Sequence, residues 1–298
     1  MAQVTEKASG QREEKQEQHN VKPLRVAFQG ERGAFGYEAT QIYFGKQQNR
    51  PVEPTPYRSF AEVFRAVATG DVDYGLVPVE NSQAGSINDT YDLLRQHDLF
   101  VIGEISHPVH HCLLALPGQK ISDIKRVISH PQALAQSDAF LRSLDVEIVA
   151  TYDTAGSAKM VSEEKLEGVA AVASASAAEL YGLEILASNI QTIKDNYTRF
   201  IALGREPAPR PTTAAKTMLL MITAHQPGSL YQCLGGLAEE KINLLKLESR
   251  PTRQRPWEYV FFLDIAGHRE DPAVRRALTF LAEHSIFCKV LGSFAQNI

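Results

Sequence analysis

Cysteine is scarce in this chain. The three present among 298 residues, Cys112, Cys233 and Cys288, lie far apart with no CxxC spacing. That argues against a disulfide framework or a structural zinc site and fits a reducing cytoplasm. Charge of one sign is not in excess either: 31 basic against 35 acidic side chains leave a formal charge of −4. Such a chain builds no basic field for nucleic acid or an anionic membrane. No stretch reaches the roughly 18 apolar residues of a membrane-spanning helix. The polar first twenty residues lack the apolar core of a signal peptide. A GxSxG elbow, a P-loop and a dinucleotide fingerprint are all missing, since Gly30, Gly33 and Gly36 fall at the wrong offsets. Covalent acyl chemistry and nucleotide binding thus have no support.

What the chain does have is a globular composition, 44% hydrophobic and 22% charged. Residues 1–23 read as a disordered tail. A strand pattern at Leu24–Phe28 runs into the turn Gln29–Gly33 and a helix pattern from Tyr37 to Phe44. Ser59 caps a second helix that Gly70 stops, and Asp73–Val79 is again strand-like. This alternation predicts an α/β domain with a mainly parallel sheet. Two extended runs, Leu99–Ile105 and Cys112–Leu116, flank a histidine-rich connection. Alternation then resumes with a helix predicted over Gln132–Leu144 and a last strand over Thr198–Leu203. Two α/β units joined by extended segments imply two lobes with a ligand cleft between them over residues 24–204. A proline-punctuated linker, 205–215, follows. Residues 216–298 carry the order βαββαβ of a ferredoxin-like split motif, with a turn near Pro251–Pro256.

His107, His110 and His111 sit beside a proline in a connecting strand without a closing ligand set, so no metal is assigned to them. The glycine turn at 30–36 reads as an ordinary turn, although exposed N–H groups at a helix start can hold a carboxylate. More telling are polar side chains at several strand ends: Glu80-Asn81-Ser82, Ser129 with Gln132 and Gln136, Thr154, and Asn196-Tyr197-Thr198-Arg199-Phe200. Ser and Thr at such places are, singly, more often helix caps than catalysts. Arg199 offers a planar fork for a carboxylate beside the Thr198 hydroxyl.

Val77-Pro78-Val79-Glu80-Asn81-Ser82, Ser129-His130-Pro131-Gln132-Ala133-Leu134-Ala135-Gln136 and Asp195-Asn196-Tyr197-Thr198-Arg199-Phe200 resemble the three signature segments of the prephenate dehydratases, in the family's order. Pro227-Gly228-Ser229-Leu230 and Glu248-Ser249-Arg250-Pro251 resemble the two effector segments of an ACT domain. The resemblance implies a two-lobed, periplasmic-binding-protein-like α/β catalytic domain followed by a βαββαβ ACT domain. It also implies conversion of prephenate to phenylpyruvate in phenylalanine biosynthesis, with no metal or organic cofactor. Departures are modest. Ala34 and Gly36 stand where the family often has hydroxyl residues, Ser229 replaces the more usual Ala, and no chorismate-mutase segment precedes Leu24, so that second activity is not expected.

By the same match Thr198 is the expected catalytic donor to the leaving hydroxyl. Arg199 would bind a substrate carboxylate and Phe200 exclude water. Asn81, Ser129, Gln136 and Thr154 would hydrogen-bond substrate, and Glu80, which orders the loop, and Ser82 also belong to the expected substrate-binding set. The expected effector is phenylalanine, held near Gly228, Ser229, Leu230, Glu248, Ser249 and Arg250, with ACT domains pairing chains into a homodimer or homotetramer. Cutting the chain after Gly204 is expected to leave a catalyst blind to phenylalanine. Two other readings stay open: an arogenate dehydratase that gives phenylalanine directly, and a non-catalytic amino-acid sensor.

Overall fold

The computed structural model describes residues 22–46, 50–252 and 258–296. The expected tail up to residue 21, and the part of the 251–256 turn beyond Thr252, lie outside them. Leu24–Gln29 (β1) becomes a central strand because its apolar residues are buried on both faces. It leads through the glycine turn into α1 (Phe35–Gly45). Next comes β2 (Val52–Tyr57), a strand not foreseen because Pro54 and Pro56 interrupt its pattern. It pairs in parallel with β1 at the edge of the sheet, where a missing N–H is tolerated. Helix α2 (Phe60–Thr69) starts at Ser59, whose hydroxyl accepts from Glu62 N–H, and stops at Gly70 in the left-handed region. Strands β3 (Tyr74–Asn81) and β4 (Gly85–Ser86), helix α3 (Asn88–Gln96) and strand β5 (Phe100–Pro108) complete the outgoing half of the first lobe.

The chain crosses at 109–111 into the second lobe. That lobe holds β6 (Cys112–Ala115), β7 (Arg126–Ser129), α4 (Pro131–Gln136), α5 (Asp138–Leu141), β8 (Glu147–Ala150), α6 (Thr154–Glu163), β9 (Val169–Ala173), α7 (Ala175–Tyr181) and β10 (Glu184–Ala187). It crosses back at 188–196 and inserts β11 (Tyr197–Gly204) between β3 and β5. The first sheet is therefore ordered β2-β1-β3-β11-β5 and the second β10-β6-β9-β7-β8. Neither is mainly parallel as expected. The returning strand β11 runs antiparallel to both neighbours, and β6 is antiparallel to β9 and β10, because each crossing reverses the chain. The helix expected over 132–144 is broken at buried Ser137. The Gln136 carbonyl, which would accept from Phe140 in a continuous helix, accepts instead from Thr192 N–H of the second crossing at 2.8 Å.

Beyond the linker, β12 (Ala215–Ile222), α8 (Ser229–Glu239), β13 (Leu244–Pro251), β14 (Tyr259–Ala266), α9 (Pro272–His284) and β15 (Phe287–Ala295) form an antiparallel sheet ordered β13-β14-β12-β15. Leu219, Met221, Leu263 and Ile265 pack on α8 and α9. On the opposite face Met218, Leu220, Phe262, Leu291 and Phe294 join one core with Val77, Val79, Ile201 and Leu203 of the first lobe. The C-terminal sheet is thus packed directly against the first lobe's sheet.

Candidate active site at the cleft between the lobes

A cleft of about 740 Å³ opens between the lobes. From the first lobe it takes the first turn of α1 with Asn81, Thr198 and Phe200; from the second, Gln136, Asp153 and Thr154; from the crossing, His111. Strand alternation puts Thr198 and Phe200 on the cleft side of β11. A bulge does the rest. The β3–β11 register skips Val79, pairing Arg199 with Glu80 but Phe200 with Pro78. Pro78 and Asn81, three apart, thereby face the cleft together, while Val79 and Glu80 face away.

The orientation of Asn81 follows from its partners. Its Oδ1 accepts from Gln83 N–H at 3.0 Å and Ala84 N–H at 2.9 Å, so the other end of the amide must be Nδ2. Nδ2 donates to Asn196 Oδ1 and to Thr198 Oγ1, both at 2.9 Å. Because Thr198 Oγ1 accepts from Asn81, its own proton is left to point elsewhere. Thr198 is 9% exposed, a small window that opens on the cleft.

The glycine loop closes one end. Gly30 and Gly33 have φ of +107° and +86°, which favour glycine. The loop docks on the second lobe through Ser174 Oγ–H donating to Gly33 C=O at 2.6 Å, Tyr181 O–H donating to Arg32 C=O at 2.8 Å, and a 3.2 Å Lys159–Glu31 ion pair. Asp153 caps α6 by accepting from Gly156 N–H at 2.7 Å, and burial pushes its carboxyl pKa up. Helix α1 has no side-chain cap on its first turn. Its leading N–H groups, at Phe35 and Gly36, sit in the cleft wall where the helix dipole favours an anion.

Several expected site residues lie elsewhere. Arg199 points to the C-terminal domain, 2.6 Å from Asp264, 3.3 Å from Glu104 and 3.2 Å from Glu80. It does not reach the cleft, because it alternates with Thr198 on the strand. Glu80 faces the same way and pairs with Lys246 at 2.6 Å. Ser129 is fully buried, and its hydroxyl donates to Val172 C=O at 2.6 Å, tying β7 to β9. Ser82 is exposed and its Oγ accepts from Tyr197 N–H at 3.0 Å. Asn81, Gln136, Thr154, Thr198 and Phe200 do line the cleft. His111, Asn196 and Asp153 join them in forming the site. The sequence pointed to Asn196 only as part of a strand-end cluster and a signature segment, to His111 only as a rejected metal ligand, and to Asp153 not at all, since nothing local distinguishes a crossing residue or a helix cap from a site residue.

The six expected effector residues are split. Gly228, the left-handed N-cap of α8, and Leu230 line a smaller cavity of about 470 Å³ with Thr223, Tyr259 and Phe261. Ser229 begins α8, half-buried beside them. On β13, Glu248 accepts from the Ser86 hydroxyl, Arg250 lies 3.4 Å from Asp92 on α3, and Ser249 is exposed. Glu248 and Arg250 face the first lobe instead of that cavity.

Residues 26–208 match the family described as prephenate dehydratase, and residues 217–283 match the ACT domain. The chain is 41% identical over 285 residues to an arogenate dehydratase/prephenate dehydratase of Arabidopsis thaliana, covering 92% of this chain and 74% of that one. Among solved structures, a prephenate dehydratase of Arthrobacter aurescens in complex with L-Phe is 31% identical with a TM-score of 0.82, covering 92% of this chain and 90% of that one. A protein described as a quorum quenching acylase, GqqA, is 37% identical with a TM-score of 0.82, covering 92% and 98%.

Proposed function

Because the chain belongs to the prephenate dehydratase family of hydro-lyases and carries an ACT domain, we propose that it converts prephenate to phenylpyruvate under phenylalanine feedback. In that reaction the ring carbon bearing the carboxylate loses CO₂, and the bonding pair enters the ring. The C–O bond opposite breaks and the departing hydroxide takes one proton to become water. Aromatisation drives the step, so the protein must hold a dianion and hydrogen-bond the leaving oxygen.

The observation that carries the reading is the Asn81–Thr198 contact, which leaves the threonine proton free to meet a leaving oxygen in the cleft. With Arg199 turned away, the N–H groups opening α1, the Thr154 hydroxyl and the Gln136 amide are among the donors the cleft offers to carboxylates. Phe200, 3% exposed, keeps water from that wall. General acid assistance is typically worth about 10²–10⁴-fold. Thr198→Ala should therefore lose at least about a hundredfold in kcat while melting normally, and Thr198→Ser should retain part of it. Near-normal turnover by the alanine variant would remove Thr198 from the mechanism.

A second reading is favoured by the name of the Arabidopsis relative: arogenate, bearing an amine where prephenate has a keto group, as the preferred substrate. Comparing kcat/KM on the two substrates decides, and absence of turnover on both would leave only the amino-acid sensor. For the regulatory domain, the exposed apolar residues Leu245 and Leu247 on the edge strand β13, with Tyr259 at the start of neighbouring β14, support pairing with a second chain, as a homodimer or homotetramer. Three free cysteines support a reducing, cytoplasmic setting.

A further inference from the structure

We propose that His111 is a positioning residue for this reaction: it holds the Gln136 amide so that its N–H groups, and not its oxygen, face the substrate. The inference rests on the family reading above, because it concerns the same cleft. His111 is 2% exposed and lies at the first crossing between the lobes. Its backbone is fixed independently of its side chain: its N–H donates to Gln191 Oε1 at 3.0 Å, and its carbonyl accepts from Ile190 N–H at 2.9 Å. The imidazole Nε2 lies 2.8 Å from Gln136 Oε1, and Asn196 Nδ2 donates to the same oxygen at 3.1 Å. An amide oxygen only accepts, so the ring carries its proton on Nε2. Nδ1 is then a bare lone pair. It is buried and meets no hydrogen-bond partner among the described residues, which leaves Nε2–H as the polar group that ties this side chain down. Phe35, from the cleft wall, packs edge-on against the ring with centroids 5.5 Å apart.

The consequence falls on Gln136. With Oε1 held by two donors, its Nε2 faces the first lobe, 3.4 Å from Asn81 Oδ1. That contact is long, so the amide has donor capacity left for a ligand. A flipped Gln136 would instead turn an acceptor oxygen toward a substrate carrying two carboxylates, replacing a donor with a repulsive lone pair. His111 acts through Gln136, holding the productive flip together with Asn196.

The test uses the full chain and the better of prephenate and arogenate. Removing the donor with His111→Leu should lower kcat/KM about tenfold, the worth of one buried hydrogen bond. His111→Gln, whose amide can donate from nearly the same place, should recover most of it. Because the effect passes through Gln136, the double variant H111L/Q136L should be no worse than Q136L alone. Unchanged kcat/KM in His111→Leu would overturn the inference, as would His111→Gln performing no better than His111→Leu, or a double variant in which the two losses multiply. Thermal melts confirm folding. Should His111→Leu not fold, His111→Asn, too short to reach Oε1, takes its place in every comparison. A wild-type protein inactive on both substrates would refute the proposed dehydratase activity itself, whereas an active protein indifferent to His111 refutes this inference alone.

Discussion

Thr198 and Arg199 are adjacent in sequence and divide between opposite faces of β11, one toward the cleft and one toward the C-terminal sheet. Deleting their side chains should therefore have different signatures. Arg199→Leu removes a cation that Glu80, Glu104 and Asp264 surround, and breaking such a pair typically costs about 3–5 kcal/mol. The expected result is a large fall in melting temperature with less than about a tenfold loss in kcat. A variant of normal stability and abolished turnover would return Arg199 to the cleft. At Gln136 the informative change is to glutamate. It would keep the acceptor for His111 and Asn196 but present a second anionic oxygen to a dianionic substrate. Gln136→Glu should thus raise KM more than Gln136→Leu does, and the excess should grow as pH rises and the new carboxyl ionises. Equal KM values would show that this amide does not face the substrate's charge.

At the scale of elements, the loop between β1 and α1 fastens the lobes together. A Cβ placed on Gly33 would stand 2.9 Å from the Ala177 backbone, and φ of +86° strains any other residue by about 1–2 kcal/mol. Gly33→Ala should push the loop off α7 and lower kcat/KM, with little change at residues of the C-terminal sheet. Hydrogen exchange at 174–177 reads that loosening, and unchanged protection there would count against the latch. Most of these elements are legible in the sequence because burial periodicity and caps are local: Ser59 and Gly70 bound α2 as expected, and the βαββαβ order holds. The rest was hidden by long-range facts. The prolines of β2 mask a strand that only an edge position permits, and the bulge at Val79 reverses which residues of 76–81 share a face. The break at Ser137 depends on a carbonyl captured by a segment more than fifty residues away. Motif matching likewise gathers residues by chain position, so it grouped Glu80 and Arg199 with Asn81 and Thr198 though the sheet separates the pairs.

At the scale of the whole molecule, the C-terminal sheet is a wall of the catalytic domain. Its Met218, Leu220, Phe262, Leu291 and Phe294 share one core with Val77, Val79, Ile201 and Leu203, and Gly292 is so close to the Val101 backbone that any Cβ would collide with it. The truncation after Gly204, expected from sequence to leave a working catalyst, would instead strip this core and yield an unstable protein. Coupling between the domains is better probed by single charges. Asp264 receives Lys216 at 3.0 Å and Arg199 at 2.6 Å. Burial works to raise its carboxyl, but these two cations outweigh it and hold the pKa below the ordinary carboxylate range. A carboxyl depressed in the folded state contributes stability that is fully present above its unfolded value of about 3.9, and that is lost as pH falls through the lower folded value. Melting temperatures measured from pH 7 down to pH 3 should therefore drop more steeply for the wild type than for Asp264→Asn, which starts lower at pH 7 but has no such proton to take up. Because Arg199 adjoins Thr198, the same variant should also blunt inhibition by added phenylalanine. Parallel melting curves for the two proteins would show that the domain boundary does not draw its stability from this carboxylate.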